Sequence, residues 1–323
     1  MATTILVLKT DGTLVSDIPL GELGPCLEDP GTRVWIDLFE PEMADYDALQ
    51  SVFHFHPLAI EDCHSNIQRP KIDEYGNYIF MTFHGLNLAE GKDPLELVEL
   101  DLFLGAAFLV TVRYDRLFSI RDVQERVQKN PEILHRGPDV VLHAVLDRMV
   151  DYYFDMLQRL DEKMDGIEDR LFEGATRDVL KEILDLKRTI MALRRVAGPQ
   201  REIMNQIARG DCPIVQEGTR YYYRDIHDHL LRIADSLDAY RDMIGTAMDT
   251  YMTLLSNRTN EIMKVLSIIA TIMLPLSLIT GFFGMNFQRF PGLDHPLGVW
   301  FVVGTMLVLA GIMLAYFRRK GWF

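Results

Sequence analysis

The tripeptide Gly284-Met285-Asn286 stands between two charge-free runs near the C-terminus, and its residue types suit the handling of a hydrated cation. Gly284 can take a positive φ, so the chain is expected to leave a helix there with its last carbonyls exposed rather than paired. Asn286 adds a neutral side-chain oxygen. Repeated around a symmetric oligomer, these oxygens would form a polar ring at a membrane surface. Mg2+ holds its waters tightly, so a ring that hydrogen-bonds those waters suits it as a first site. A carboxylate ring would grip the ion harder and release it less readily. Three residues are a weak motif alone; their position at the end of a membrane-length run gives them weight.

Upstream, Asn260, Met263, Ser267, Ala270, Leu274, Ser277 and Gly281 recur at steps of three and four. On a helix they form one narrow face of small, polar or flexible residues, while Ile268, Ile272, Leu276 and Ile279 lie elsewhere. That face reads as a pore lining; the alternative is small residues that let helices pack closely in lipid. Met263 and Leu274 would close such a pore by dewetting it, and Asn260 would ring its inner mouth. Pro275 removes one backbone hydrogen bond and offers a bend.

Other chemistry is hard to build. His54, His56, Glu61, Asp62, Cys63 and His64 crowd together but lack the spacing of a zinc-protease helix or a matched Cys/His pair. With no nucleophile–base constellation and no P-loop, an enzyme is not expected. Cys26, Cys63 and Cys212 are odd in number and far apart, which suits a reducing compartment. The N-terminus lacks a basic start followed by an apolar core, so no signal peptide is expected.

These residues need elements to position them, and the charge distribution outlines those elements. The chain of 323 residues carries −14 overall, yet beyond Lys264 only Arg289, Asp294, Arg318, Arg319 and Lys320 are charged. That tail has a net +3, so residues 1–264 carry −17. An acidic body repels nucleic acid and attracts cations. Val265–Phe283 and Leu297–Phe317 are charge-free runs of 19 and 21 residues, each enough to cross a hydrocarbon core of about 30 Å. Trp300, Tyr316 and Trp322 sit where an interfacial aromatic belt would place them, and Arg318-Arg319-Lys320 follows the second run at once. The positive-inside rule then puts both termini in the cytoplasm and the short loop outside.

Before the spans, Ile226, Leu230, Ile233, Leu237, Tyr240, Ile244, Ala247, Tyr251 and Leu254 alternate steps of four and three, the seam of a long helix packed against others. If continuous from Tyr222 to Phe283, that helix would be roughly 90 Å long at about 1.5 Å per residue. Val141–Phe172 and Arg177–Ala208 predict two more helices, an antiparallel pair joined near Gly174. Such a pair would set acidic residues on the first against basic ones on the second; two solvated helix faces are the plain reading, and an acidic surface that gathers cations is the functional alternative. The first part alternates differently. Ile5–Leu8 and Thr13–Val15 predict a hairpin around Asp11-Gly12, Val34–Leu38 a buried strand, and Pro41–Val52 a helix. Tyr78–Leu86, Leu97–Leu104 and Phe108–Val112 predict three more strands, and Val123–Lys129 opens a helix.

The sequence resembles the CorA family of magnesium transporters over essentially its whole length, most densely from Tyr222 onward. The resemblance lies in Tyr223-Arg224-Asp225, Ser256-Asn257-Arg258-Thr259-Asn260-Glu261, Met263-Lys264-Val265-Leu266 and Gly281 to Phe287. Glu61-Asp62 followed by Gln68-Arg69-Pro70-Lys71 extends it into the first domain. It implies an α/β cytosolic domain, a long helical stalk and two C-terminal transmembrane helices, assembled as a funnel-shaped homopentameric channel in the plasma (inner) membrane. The expected divisions are 1–137 for the α/β domain, 138–221 for its helical hairpin and 222–264 for the stalk. The first span is then 265–286, the external loop 287–296, the second span 297–317 and the basic C-terminus 318–323.

The resemblance also implies passive flux of Mg2+, with Co2+ or Ni2+ as further cargo, no bound cofactor, no coupled ATPase, and partners limited to the lipid bilayer, divalent cations and further copies of the chain. Gly284, Met285 and Asn286 become the selectivity residues, and Asp62 and Asp225 match positions that bind a regulatory Mg2+ between neighbouring subunits. There are two departures. Pro291-Gly292-Leu293 replaces a common Pro-Glu-Leu, with Asp294 just beyond, and Leu274 stands where relatives carry methionine. A related zinc-transporting branch commonly has Gly-Val-Asn, so Met285 favours the magnesium branch. The alternatives are a Zn2+ transporter on this fold or a membrane-tethered metal sensor that does not transport.

Overall fold

The computed structural model describes residues 3–16, 18–65, 69–87, 96–285 and 297–322. In chain order its elements are β1 Thr3–Leu8, β2 Leu14–Ser16, α1 Gly24–Leu27, β3 Arg33–Phe39, α2 Met43–Phe53, α3 Pro57–His64, β4 Lys71–Glu74, β5 Tyr78–Asn87, β6 Glu96–Gly105, β7 Phe108–Arg113, α4 Phe118–Lys129, α5 Glu132–His135, α6 Pro138–Glu173, α7 Arg177–Arg209, α8 Arg220–Phe283 and α9 Gly298–Arg319. They fall into two compact units, one of Met1–Arg170 with Arg177–Ala247, the other of Leu171–Thr176 with Met248–Phe323.

The first unit is built on a seven-stranded sheet in the order β2-β1-β3-β7-β6-β5-β4. Only β3 and β7 run parallel; the other pairs are antiparallel. The expected hairpin forms around Gly12, whose φ of 83° only glycine adopts freely. The hydrophobic runs become β3, β5, β6 and β7 because nearly every residue in them is buried. Alternation along β3 sends Val34, Ile36 and Leu38 into one apolar cluster with Tyr46, Leu49 and Phe53 of α2 and Ala59 and Cys63 of α3. At Gly85 of β5 a Cβ would stand 2.7 Å from Leu117, which precedes α4, and 3.0 Å from Met149 of α6, so both press directly on the strand. Tyr153 Oη of α6 and Gln200 Nε2 of α7 each donate to the His84 carbonyl at 3.0 Å.

One charge is sealed into this core. The Asp37 carboxylate accepts from Arg113 Nε at 3.2 Å and Nη2 at 2.9 Å, from Gln124 Nε2 at 3.0 Å and from Thr111 Oγ1 at 2.8 Å. A buried carboxylate is tolerable only with such saturation.

Two elements escape the hydrophobic pattern. In β4, Lys-Ile-Asp-Glu offers one apolar residue, since an edge strand needs only one paired side. Residues 57–64 form α3, too short for periodicity to register, with Pro57 at its first turn and His56 Nδ1 accepting from Leu58 N–H at 3.2 Å.

The seam on α8 from Ile226 to Ala247 is buried within the single chain. Tyr240 Oη donates to the Leu157 carbonyl of α6 at 3.3 Å, and Arg194 of α7 pairs with Asp238 at 2.5 Å. Burial of the seam therefore does not require a second copy. The expected facing of acid on α6 against base on α7 takes a different form: Arg170 of α6 pairs with Glu182 of α7, the reverse polarity, while Arg188 turns to Asp185 of its own helix. Tyr153 of α6 is buried, whereas the neighbouring Tyr152 donates from Oη to Asp122 at 3.2 Å.

In the second unit, α9 and the end of α8 are, among the described residues, the two helices long and apolar enough to cross a membrane, and almost none of their apolar windows is buried. Exposure on that scale needs lipid or protein to cover it.

Candidate ion path and metal-binding residues

Along α8 the seven residues of the predicted stripe, Asn260, Met263, Ser267, Ala270, Leu274, Ser277 and Gly281, are all exposed. Ile268 on the opposite side is buried, and Ile272, Leu276 and Ile279 are half-buried. Helical periodicity separates the two faces because 3.6 residues per turn returns steps of three and four to one side. Neighbouring hydroxyls are spent on their own helix: Thr271 Oγ1 donates to Ser267 O at 2.7 Å and Thr280 Oγ1 to Leu276 O at 3.1 Å. α8 stays continuous through Pro275.

The helix ends differently from the expectation at Gly284. It is not among the residues at positive φ. Its N–H donates to Thr280 O at 2.8 Å, and Met285 N–H to Phe282 O at 3.4 Å, so these carbonyls are paired rather than freed. Glycine is needed for another reason: a Cβ there would stand 2.9 Å from Thr280 O, a rigid backbone atom. Met285 is exposed. Asn286, the loop 287–296 with its Gly292 and Asp294, and Gln68 lie outside the described residues.

The two aspartates expected to hold a regulatory ion sit in different surroundings. Asp62, on α3, holds Lys71 Nζ at 2.6 Å, and that ammonium also reaches Asp73 at 3.0 Å. Burial works to lower the pKa of Lys71, but its bonds to Asp62 and Asp73 outweigh this and raise it. Asp225, near the start of α8, belongs instead to a group with His229 and Asp147 of α6, whose ligand atoms all lie within 4.8 Å of one another. His229 stands edge-on to Phe154, with ring centroids 5.4 Å apart, and its Nδ1 has no hydrogen-bond partner. Burial raises the pKa of Asp147; His143 opposes this, and Asp151 and Asp225 add to it. Two carboxylates and an imidazole that close together are a workable donor set for a divalent cation.

The sequence gives α6 an acidic face without singling out Asp147, and it marks neither His229 nor His143. The i,i+4 pair Asp225–His229 was the available signal; Asp147 joins it only through packing of α6 on α8. The crowd at 54–64 has structural duties: His56 caps α3, Cys63 Sγ donates to Ala59 O at 3.3 Å, and His64 stacks at a tilt on Tyr46. Burial, with Asp101 nearby, pushes the Cys63 thiol well above its ordinary range.

Comparison with known proteins agrees on one lineage. Residues 31–319 match the family model described as CorA-like Mg2+ transporter protein. The chain is 37% identical to the YfjQ protein of Bacillus subtilis over 99% of its own length and 98% of that protein's. It is 33% identical to the cobalt/magnesium transport protein CorA of Thermotoga maritima, covering 91% of this chain and 84% of that one. The complete structure of the CorA magnesium transporter from Methanocaldococcus jannaschii superposes with a TM-score of 0.83 at 22% identity, covering 100% of this chain and 99% of that one. The last comparison establishes the fold: a mixed-sheet N-terminal domain, a long helix and two apolar C-terminal helices.

Proposed function

This chain belongs to the family of CorA-like Mg2+ transporter proteins, and from that premise we propose that it carries Mg2+ passively through the centre of a homopentamer. The observation that supports the reading is the exposed small-and-polar stripe Asn260–Gly281 on α8, set opposite the apolar face of Ile268 and Ile272. Five such stripes around an axis would line one pore, narrowed at Met263 and Leu274. Gly284, Met285 and Asn286 would receive the hydrated ion at its outer end. Both termini lie in the cytoplasm of a cell bounded by this plasma (inner) membrane, as Arg318-Arg319-Lys320 supports.

Gating rests on Asp225. With Asp147 beside it, this carboxylate offers a regulatory Mg2+ a pair of oxygen donors, His229 can hydrogen-bond a water on the ion, and Asp62 of a neighbouring subunit is the further ligand. A bound ion neutralises carboxylates that otherwise repel, holds adjoining subunits together and keeps the pore shut; falling internal Mg2+ releases it. Asp62 must exchange Lys71 for the ion, which sets a threshold on binding.

Uptake of Mg2+, Co2+ and Zn2+ by one preparation of vesicles tests the cargo. Mg2+ influx that follows the membrane potential and disappears in Asn286→Ala is expected. Flux of Zn2+ without Mg2+ would replace this reading by a zinc transporter on the same fold, and no flux of any ion would leave a sensor.

A further inference from the structure

Val265, Ile268, Ile269, Ile272 and Met273 of α8 enclose, with Leu314 of α9 and Trp322, an apolar groove of about 350 Å³. At about 100° per residue this wall lies on the side of α8 away from Ser267, Ala270 and Leu274. A pore on that stripe therefore leaves the groove facing outward, into the bilayer.

One end of the groove is strongly basic. Lys264 precedes the lining residue Val265, and its Nζ donates to Gly321 O at 3.4 Å, beside the lining residue Trp322. Arg318, Arg319 and Lys320 are exposed on the last turn of α9 and just after it. Glu261, exposed one turn before Val265, is the charge opposing them, and these five residues keep a net +3. Trp322 stacks on Phe317, centroids 5.3 Å apart, which holds the indole at the junction of apolar and basic surfaces.

We propose that this groove is a binding site for an anionic phospholipid of the cytoplasmic leaflet. Its acyl chain lies along Ile268, Ile269, Ile272 and Leu314, and its phosphate is held by Lys264, Arg319 and Lys320. Hydrocarbon walls closed by a cationic end match one amphiphile of opposite charge. Ordinary zwitterionic lipid fits the walls but does not neutralise the end. The site rests on the reading of α8 and α9 as membrane spans.

Trp322 serves as the reporter. The full chain with Trp300→Phe, which removes the other tryptophan on the spans, is reconstituted in phosphatidylcholine vesicles. A small equal fraction of acyl-brominated phosphatidylglycerol or acyl-brominated phosphatidylcholine is then added. Quenching of Trp322 several-fold stronger by the anionic lipid is expected, as is loss of that excess in Arg319→Gln with Lys320→Gln. Ile269→Trp, which fills the groove, should abolish the preference while leaving the charges in place, read as displacement of bound phosphatidylglycerol in native mass spectrometry. Equal quenching by both lipids, or an excess that survives both sets of substitutions, overturns the site. So does absence of quenching by either lipid, the result of a groove covered by a second copy. Flotation of the protein with the vesicles and Mg2+ flux report separately on the membrane and transport readings: a vesicle-bound protein without flux that keeps the lipid preference refutes transport alone.

Discussion

His229 Nε2 lies 3.7 Å from Asp225 Oδ2 one turn further along α8, and a carboxylate oxygen of Asp147 on α6 comes within 4.8 Å of their ligand atoms. An ion bound here would tie α8 to α6. Asp147→Asn is therefore expected to reduce Mg2+ protection of the α6–α8 region against protease, and Asp62→Asn with Asp225→Asn to leave currents less inhibited by internal Mg2+. Mutating a residue that only supports a metal's ligands typically lowers affinity by about 10-fold or more, and loss of a ligand is expected to cost at least that. Equal inhibition of wild type and double variant at one Mg2+ concentration would return both aspartates to the role of surface residues.

Gly284→Ala should impair flux while the assembly keeps its size in detergent. The cause is the 2.9 Å approach of the new Cβ to Thr280 O, which forces the end of α8 to shift. Asn286→Ala should abolish flux without moving the helix end. Wild-type flux in an expressed Asn286→Ala protein would refute its part in ion entry.

Thiol accessibility checks the stripe. Cys63 and Cys212 are buried, so a Cys26→Ser background leaves little exposed thiol. Ser267→Cys and Ser277→Cys should react with a charged, water-soluble reagent, and Ile268→Cys should not. The opposite pattern would place the pore on another face.

Asp37→Ala should lower stability by about 3–5 kcal/mol, because it leaves the Arg113 guanidinium, also largely buried, without its counter-charge. Thermal unfolding of the detergent-solubilised protein measures it. A loss under about 1 kcal/mol would mean that water reaches the pair.

Asp101 gives a pH dependence of defined sign. Burial raises its pKa from 3.8 to about 7, against the hydrogen bond that Thr82 donates at 2.6 Å. Between those values the folded protein holds a proton the unfolded chain has released. The contribution is therefore fully present below pH 3.8, declines as pH rises and is gone above about 7. Its ceiling is about 4 kcal/mol, since each tenfold gain in proton affinity is worth about 1.4 kcal/mol. Asp101→Asn, which can still accept from Thr82, should flatten the unfolding midpoint across that range; an unchanged slope would exclude Asp101 as its source.

The local pattern alone determined much of this protein. Charge-free runs of 19 and 21 residues admit few structures, and a stripe recurring at three and four on one of them fixes which face is polar. The buried seam of α8 and the strands β3, β5, β6 and β7 were likewise legible, since burial selects apolar residues at the period of the element. Tertiary structure decided what periodicity does not encode. It buried the seam inside one chain, turned Arg170 toward Glu182, and gave Asp62 to Lys71. It brought Asp147 to Asp225 across 78 residues, a meeting set by how α6 packs on α8. It also replaced the expected positive φ at Gly284 by a close approach to Thr280 O. A glycine is chosen both where the backbone turns left and where a Cβ has no room, and only the position of the neighbouring carbonyl tells the two apart.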